Sequence, residues 1–295
     1  MRYGYHVSPP LASIPDWLTD HGCGVFQTYL RDKMRLNSEG IPTPEEQEDY
    51  LAAIASSDTP IWGMAHSSLI ANIASPDPRL RNGSVGAIVK DANLAALLGF
   101  AGVCFHVGYE KGHESRLAAH ALASRKYAEG AAKLKTGAQL WLENGAEGTE
   151  LGQTIEELAS VLHAALDTGV DPQRVGVVID TCHLHVAGFD LAPPDGPDRL
   201  VAELEKRSLL PFVRAVHLND ARFECGSKRD RHAIPGQGTI NVGLRILSNH
   251  HALAHLPAIL EMSPESAAIG IAWLLGDEGP VSAAAAAAVT AEDPV

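Results

Sequence analysis

Cysteine is scarce, aromatics are few and basic side chains are outnumbered, and each shortage closes off a class of protein. The four cysteines, Cys23, Cys104, Cys182 and Cys225, contain no C-x-x-C pair and are too few for a disulfide scaffold. Cys104 lies in an apolar run and reads as a plain buried thiol. No stretch approaches the roughly 18 consecutive apolar residues of a membrane span. The opening MRYGYHVSPP has no apolar segment of the kind a signal peptide carries. These features predict a soluble, cytoplasmic protein with no membrane partner. No G-x-G-x-x-G follows the first strand-like run, which weakens a dinucleotide-binding reading. Lys+Arg 23 against Asp+Glu 36 leaves a formal charge of −13. That argues against a basic-patch nucleic-acid binder, but not against an acidic cluster that holds cations.

Apolar material is plentiful. With 45% hydrophobic residues over 295 positions, the chain can bury a large core, which excludes intrinsic disorder. Strand-like runs recur at Arg2–His6, Gly24–Thr28, Pro60–Ala65, Gly102–Phe105, Ala138–Leu142, Arg174–Ile179, Phe212–Val216 and Leu256–Leu260. Segments with helical spacing lie between them, such as Arg79–Leu98, Ser115–Leu134 and Thr154–Leu166. Thr154 with Glu157 three residues on, and Ser263 before Pro264, mark helix starts. Eight strands, each followed by a helix-length segment, predict an α/β fold of parallel units. Over about 280 residues they fit a single-domain (β/α)8 TIM barrel better than an open doubly wound sheet. The predicted barrel domain spans 1–276. Residues 277–295, with the alanine run Ala283–Ala288, read as a flexible tail.

The chemistry lies where the strands end. His66, His106, Glu143, Asp180, His217 and Glu261 each close a strand-like run, at gaps of 40, 37, 37, 37 and 44 residues. A barrel of this length needs about 37 residues per unit, and the carboxyl ends of all its strands face one mouth. His183 follows in DTCH, and Asp230 and His232 in DRH. Five His, two Asp and two Glu are too many for one tetrahedral ion, and they suit two or three ions with a bridging carboxylate. Three divalent cations would supply +6 against four carboxylates.

Blander readings stand beside these. A lone histidine after a strand is usually a hydrogen-bonded structural residue, and Asp180 before Thr-x-His could merely cap a helix. Six period-matched cases make independent accidents a poor account. His21, His113, His120, His163, His185, His250, His251 and His255 are assigned surface or structural roles, whereas His6 ends the first strand and can stand behind the ligands. The glycines of ENGAEGTELG read as an ordinary βα loop rather than a phosphate cradle. Arg31, Lys33, Arg222, Lys228, Arg229 and Arg231 are the basic residues nearest the mouth. Arg229 and Arg231 flank ligand candidates, and phosphate contact is expected of them.

Several stretches resemble the endonuclease IV family of zinc-dependent apurinic/apyrimidinic endonucleases: HSSLIANIASP from His66, FHVG, LENGAEGTELG, RVGVVIDTCHLHVAGFD and HLNDARFECGSKRDRHAIPGQGTI. The resemblance runs from YGYHVS to about residue 275. It implies three zinc ions. His66, His106 and Glu143 would hold the first, Glu143 with Asp180, His217 and Glu261 the second, and His183, Asp230 and His232 the third, a site that could equally take manganese. It implies double-stranded DNA containing abasic sites as partner and a monomer as the working form. The implied reaction is hydrolysis of the phosphodiester 5′ to the lesion, with Glu143 and Glu261 at its catalytic heart. The chain departs from the family in its DNA-reading loops. Tyr29-Leu30-Arg31-Asp32 replaces an Asn-Gln-Arg-like stretch, with Arg31 at the inserting position. Leu69 stands where a wedging tyrosine is common, and Tyr5 where alanine is usual. Leucine can still act as an apolar wedge. The competing enzyme reading is a xylose-isomerase-like sugar isomerase or epimerase using only Glu143, Asp180, His217 and Glu261. A non-catalytic DNA binder with structural metals is a third class.

Overall fold

The computed structural model describes residues 1–8 and 10–276; the predicted alanine-rich tail lies outside the described residues. Eight parallel strands close into a barrel: β1 (Arg2–His6), β2 (Val25–Tyr29), β3 (Trp62–His66), β4 (Val103–His106), β5 (Leu140–Glu143), β6 (Val175–Asp180), β7 (Val213–His217) and β10 (Pro257–Leu260). β1 pairs with β2 on one side and with β10 on the other, which completes the ring. The helices α1 (Ile14–Asp20), α2 (Pro44–Ser56), α3 (Pro78–Leu97), α4 (Arg116–Ala131), α5 (Ile155–Leu166), α6 (Thr181–Ala187), α7 (Gly196–Lys206), α8 (Val242–Asn249) and α9 (Pro264–Leu274) lie between and after the strands. Among the described residues no helix is long and apolar enough to cross a membrane.

Every strand-like run in the sequence is a strand, and β2 to β7 each end one residue further on than expected. From β3 to β7 the terminal His, Glu or Asp thus belongs to the ladder instead of following it. The reason is that strand pairing uses backbone groups, which a polar side chain at the end does not disturb. Helix starts follow their polar residues as well. Thr154 accepts the Glu157 N–H at the start of α5, and Ser263 accepts the Ser266 N–H at the start of α9, where Pro264 stands first.

The strand period of two decides what faces the barrel axis. Val25, Met64, Cys104, Trp141, Val178, Ala215 and Ile259 form one buried apolar cluster, separate from the main core between strands and helices. Each stands two residues before a polar side chain: Gln27, His66, His106, Glu143, Asp180, His217 and Glu261. The same parity that puts the apolar residue inside puts its polar successor at the mouth. The barrel is therefore a plugged floor with a polar rim. Trp141 fills the centre, stacked on Trp62 at 6.2 Å between ring centroids. Its indole lies where a Cβ on Gly102 would stand only 2.4 Å away, so glycine is required at that position.

A two-stranded antiparallel hairpin, β8 (Asp220–Ala221) with β9 (His232–Ala233), follows β7 and pairs Ala221 with His232. It folds the intervening loop back over the mouth, a feature that two-residue strands do not announce in sequence. The buried carboxylate of Asp220 holds its base by accepting the backbone N–H groups of Ala221, Gly236, Gly238 and Ile240 at 2.9–3.1 Å.

The floor makes a prediction. Met64→Ala removes a fully buried side chain directly beneath the rim and should cost about 2–5 kcal/mol in denaturant unfolding. Met64→Leu, which conserves volume, should cost less than about 1.5 kcal/mol. Equal losses in both variants would show that the floor is not close-packed.

Candidate metal centre

The rim residues surround a cavity of about 220 Å³ lined by His6, Tyr29, Lys33, His66, Leu69, His106, Glu143, His183, Asp230, His232, Glu261 and Met262. Three groups of ligand atoms can be traced in it. Glu143 Oε2 lies 3.0 Å from His66 Nε2 and 3.6 Å from His106 Nε2. Glu143 Oε1 faces the other way, 2.7 Å from His217 Nδ1, and Glu143, Asp180, His217 and Glu261 form a second group. His183, Asp230 and His232 form the third, with Asp230 3.2 Å from His183 Nε2 and 3.5 Å from His232 Nε2. One carboxylate thus presents separate oxygens to two groups, the geometry of a bridge. Tetrahedral ligands at about 2.1 Å from one ion stand roughly 3.4 Å apart, so most of these separations suit donors sharing a cation.

The hydrogen bonds behind the ligands test whether cations fit. The far nitrogen of His66 donates to Ser67 O at 2.7 Å, that of His183 to Asn144 O at 3.0 Å, and that of His232 to Glu261 O at 3.3 Å. His217 turns its Nε2 to Gln27 Oε1 at 2.8 Å. With these protons placed, each near nitrogen aims a lone pair at carboxylate oxygens, an arrangement that only a proton or a cation between them relieves. His232 Nε2 and His106 Nδ1 are buried and have no hydrogen-bond partner among the described residues. His232 Nε2 instead points between Asp180 and Asp230, at 3.8 and 3.5 Å. The donor set fits divalent metal.

The carboxylates are anchored with equal care. Asp180 Oδ1 accepts the His183 N–H at 2.8 Å and so caps α6, while Oδ2 accepts from Asn219 Nδ2 at 2.7 Å. The capping and metal-binding readings of Asp180 are therefore compatible, because its two oxygens divide the work. Glu261 accepts from Gln27 Nε2 at 2.6 Å and from Asn219 Nδ2 at 3.2 Å. Asn144 pairs reciprocally with the backbone of Asp180 at 2.8 and 3.0 Å. Sequence reasoning missed Gln27, Asn144 and Asn219. Their signal was parity for Gln27, two residues after an inward valine, and adjacency to ligands for the two asparagines, in the ENG and HLND stretches.

Electrostatics follow from this crowding. Burial disfavours the charged ring of His217, but Glu261 and Glu143 outweigh it and push its pKa up to about 9. Burial likewise opposes ionisation of Glu261, yet His217 holds it down to about 2. Asp180 moves upward, chiefly because it is buried, with the charges of Glu143 and Glu261 adding to that. His6 accepts from Gln27 Nε2 at 2.9 Å and stands 4.0 Å from Glu261. Burial lowers it to about 4, which keeps it neutral. It stands behind the ligands, as its place at the end of β1 suggested. The Gly-rich loop is no phosphate cradle: Glu150 already takes the Ala146 and Glu147 N–H groups at 2.8 and 3.3 Å.

One expected contact is overturned. Arg31 is not presented for DNA; its side chain is 1% exposed and paired with Asp91, with Nε 2.8 Å from both carboxylate oxygens. It also donates to the carbonyls of Leu36, Asn37 and Ala87. A guanidinium has five donors, and saturating them inside the fold anchors the loop after β2. Lys33 lines the cavity instead. Leu69 is a partly buried cavity wall, its N–H held by Lys33 O at 2.8 Å. Arg229 and Arg231 are exposed on the hairpin loop, Arg229 stacked 3.6 Å over Phe223. Cys104 is a buried thiol, as expected, 3.4 Å beneath Glu143.

Fold and site together define a (β/α)8 barrel with clustered metal-capable side chains at its mouth. A profile of the xylose isomerase-like TIM barrel family matches residues 15–275. A probable endonuclease 4 from Thermoplasma volcanium is 33% identical over 262 residues, 88% of this chain and 85% of that one. One from Chloroflexus aggregans is 36% identical over 203 residues, 67% and 68% of the two chains. The crystal structure of endonuclease IV from Thermus thermophilus aligns at a TM-score of 0.78 and 27% identity, covering 94% of this chain and 98% of that one. A D-tagatose 3-epimerase-like protein, at 18% identity and a TM-score of 0.71 over 94% and 97%, shares the fold alone. The chain belongs to the xylose isomerase-like TIM-barrel family and, within it, to the endonuclease 4 proteins.

Proton competition gives a test of the centre. His217 keeps its proton below about pH 9 when no metal is present, so a cation must displace it. Zinc affinity, corrected for the chelator's own protonation, should rise between about pH 6 and 9 by roughly one log unit per pH unit for each proton displaced, then level off. A flat profile would show that zinc does not replace protons at these nitrogens.

Proposed function

We propose that this protein is a metal-dependent endonuclease that hydrolyses the phosphodiester 5′ to abasic sites in double-stranded DNA, leaving a 3′-hydroxyl and a 5′-deoxyribose phosphate. The observation that carries this reading is the third ligand group. A sugar isomerase on the same barrel needs Glu143, Asp180, His217 and Glu261, and gives no task to His183, Asp230 and His232. Here that trio is held together, with the His183 and His232 protons fixed on the far nitrogens. Membership of the endonuclease 4 proteins supports the same choice.

His66, His106 and Glu143 would hold one zinc, Glu143, Asp180, His217 and Glu261 a second, and His183, Asp230 and His232 a third, where manganese fits equally well. Bound there, such ions supply an activated water, charge for the pentavalent phosphate and stabilisation of the leaving 3′-oxygen. The chain's own part is to hold that charge in place. Its four carboxylates carry −4 against +6, so the mouth of an acidic protein becomes locally positive. Lys33 beside the cavity, and Arg229 and Arg231 on the hairpin loop, contact flanking phosphates. Leu69 packs as an apolar wedge against the gap an extruded nucleotide leaves. An abasic nucleotide has no base to unstack, so extrusion favours the lesion. The protein acts as a monomer in the cytoplasm.

The test uses duplex DNA carrying one tetrahydrofuran abasic analogue, which cannot undergo β-elimination. Incision 5′ to the analogue, abolished by prolonged chelation and restored by zinc, is expected. Glu261→Gln should lose turnover by at least about 100-fold while retaining DNA binding. An uncut duplex with zinc-loaded protein, or full activity in Glu261→Gln, would defeat the reading.

A further inference from the structure

His185 sits two residues after His183 on α6. Side chains so spaced lie on opposite faces of a helix, so His185 points away from the metal centre. It is 1% exposed and meets two groups from other segments: Asp190, just after the helix, and Cys225, in the hairpin loop. His185 Nδ1 is 3.6 Å from Asp190 Oδ1. The ligand atoms of His185, Asp190 and Cys225 all lie within 4.8 Å of one another.

The hydrogen bonds set the tautomer. Thr239 Oγ1 has one proton and stands 2.8 Å from Phe223 O and 3.2 Å from Ala221 O, both pure acceptors. Its proton goes to a carbonyl, and its remaining lone pair receives the His185 Nε2–H at 3.2 Å. His185 Nδ1 therefore carries a lone pair, to which the Leu191 N–H offers a bond of 3.4 Å. Apart from that long backbone contact, the lone pair faces a carboxylate oxygen and a sulfur; Asp190 Oδ1 accepts the Ala192 N–H at 3.0 Å, which leaves it a further lone pair for a cation. A far nitrogen fixed by an acceptor and a near nitrogen aimed at anionic ligands repeats the pattern of the rim histidines. The backbone keeps the parts together, since Gly226 N–H bonds His185 O at 3.1 Å and Lys228 N–H bonds Val186 O at 3.0 Å.

We propose that His185, Asp190 and Cys225 form a further zinc site on the far face of α6. The donor set, one imidazole, one carboxylate and one thiolate, is of the kind zinc takes, with water in the fourth position. Cys225 binds as thiolate and releases its proton to solvent, so the −2 of the ligands cancels the +2 of the ion. Asp190, 44% exposed at its side chain, rotates to close the remaining gap. The site ties the loop carrying Asp230 and His232 to the helix carrying His183, and so braces the third group of the main centre from outside. The proposal stands independently of the substrate.

Cobalt is the probe, because only a thiolate ligand gives intense ligand-to-cobalt charge-transfer absorption in the near ultraviolet. Cobalt-loaded wild-type protein should show that band, Cys225→Ser should lack it, and Asp190→Asn should weaken it. Zinc should slow alkylation of Cys225 by about tenfold, read by peptide mass spectrometry, and leave Cys23 unaffected. Cys225 is partly exposed, and thermal unfolding of both variants confirms that each is folded. A band that persists in Cys225→Ser, no band in either protein, or alkylation indifferent to zinc overturns the proposal.

Discussion

A carboxylate buried at the centre of a barrel has to be compensated, and Glu143 sets the terms for everything around it. It is 1% exposed, with one oxygen turned to His66 and His106 and the other to His217. An isolated charge there would be prohibitive. The fold supplies histidines from three other strands, and backbone carbonyls, with the Gln27 side chain at His217, fix which ring nitrogen carries the proton. The geometry of a metal centre is thus built by ordinary hydrogen bonds before any ion enters. Gln27 shows how far this goes: one amide links His217, Glu261 and His6 across three strands.

The barrel separates stability from chemistry by strand parity. Outward residues pack under helices, and inward residues make the floor and then the rim. A floor of Trp141, Met64 and Ile259 excludes water from beneath the ligands, which strengthens every electrostatic interaction above it. The rim can carry nine metal-capable side chains at little cost to folding because the core below is complete without them. The candidate ligands that lie beyond the strand ends and α6 are Asp230 and His232. These arrive on a short hairpin whose base is held by the buried carboxylate of Asp220, and whose outer side meets His185 and Asp190.

Arg31 illustrates how an identical residue type can serve opposite ends. On the surface an arginine is a phosphate ligand; enclosed beside Asp91, it is a fastener for the loop that presents Lys33, whose carbonyl holds the Leu69 N–H of the next loop. The choice depends on an acid far along the chain, on α3. The two residues before Arg31 also turn inward: Tyr29, at the end of β2, sets its ring against His6 and His66 at 4.9 and 5.5 Å between centroids, while Leu30 is buried.

The strands, their order and the six rim residues were legible because each depends on local pattern. An apolar run of period two that ends in His, Asp or Glu carries its own orientation, and a repeat of about 37 residues matches one barrel unit. His183, Asp230 and His232 could be read only because DTCH lies beside such an end and both DTCH and DRH resemble a known family. What the chain could not state locally is who faces whom. The pairing of Arg31 with Asp91 and the amide of Gln27 shared by three strands join residues far apart in sequence. Their partners are selected by barrel closure, which brings distant strand ends within hydrogen-bonding distance. Sequence by itself determined which side chains reach the mouth; tertiary structure decided which atoms of them meet, because register and closure are properties of the whole ring.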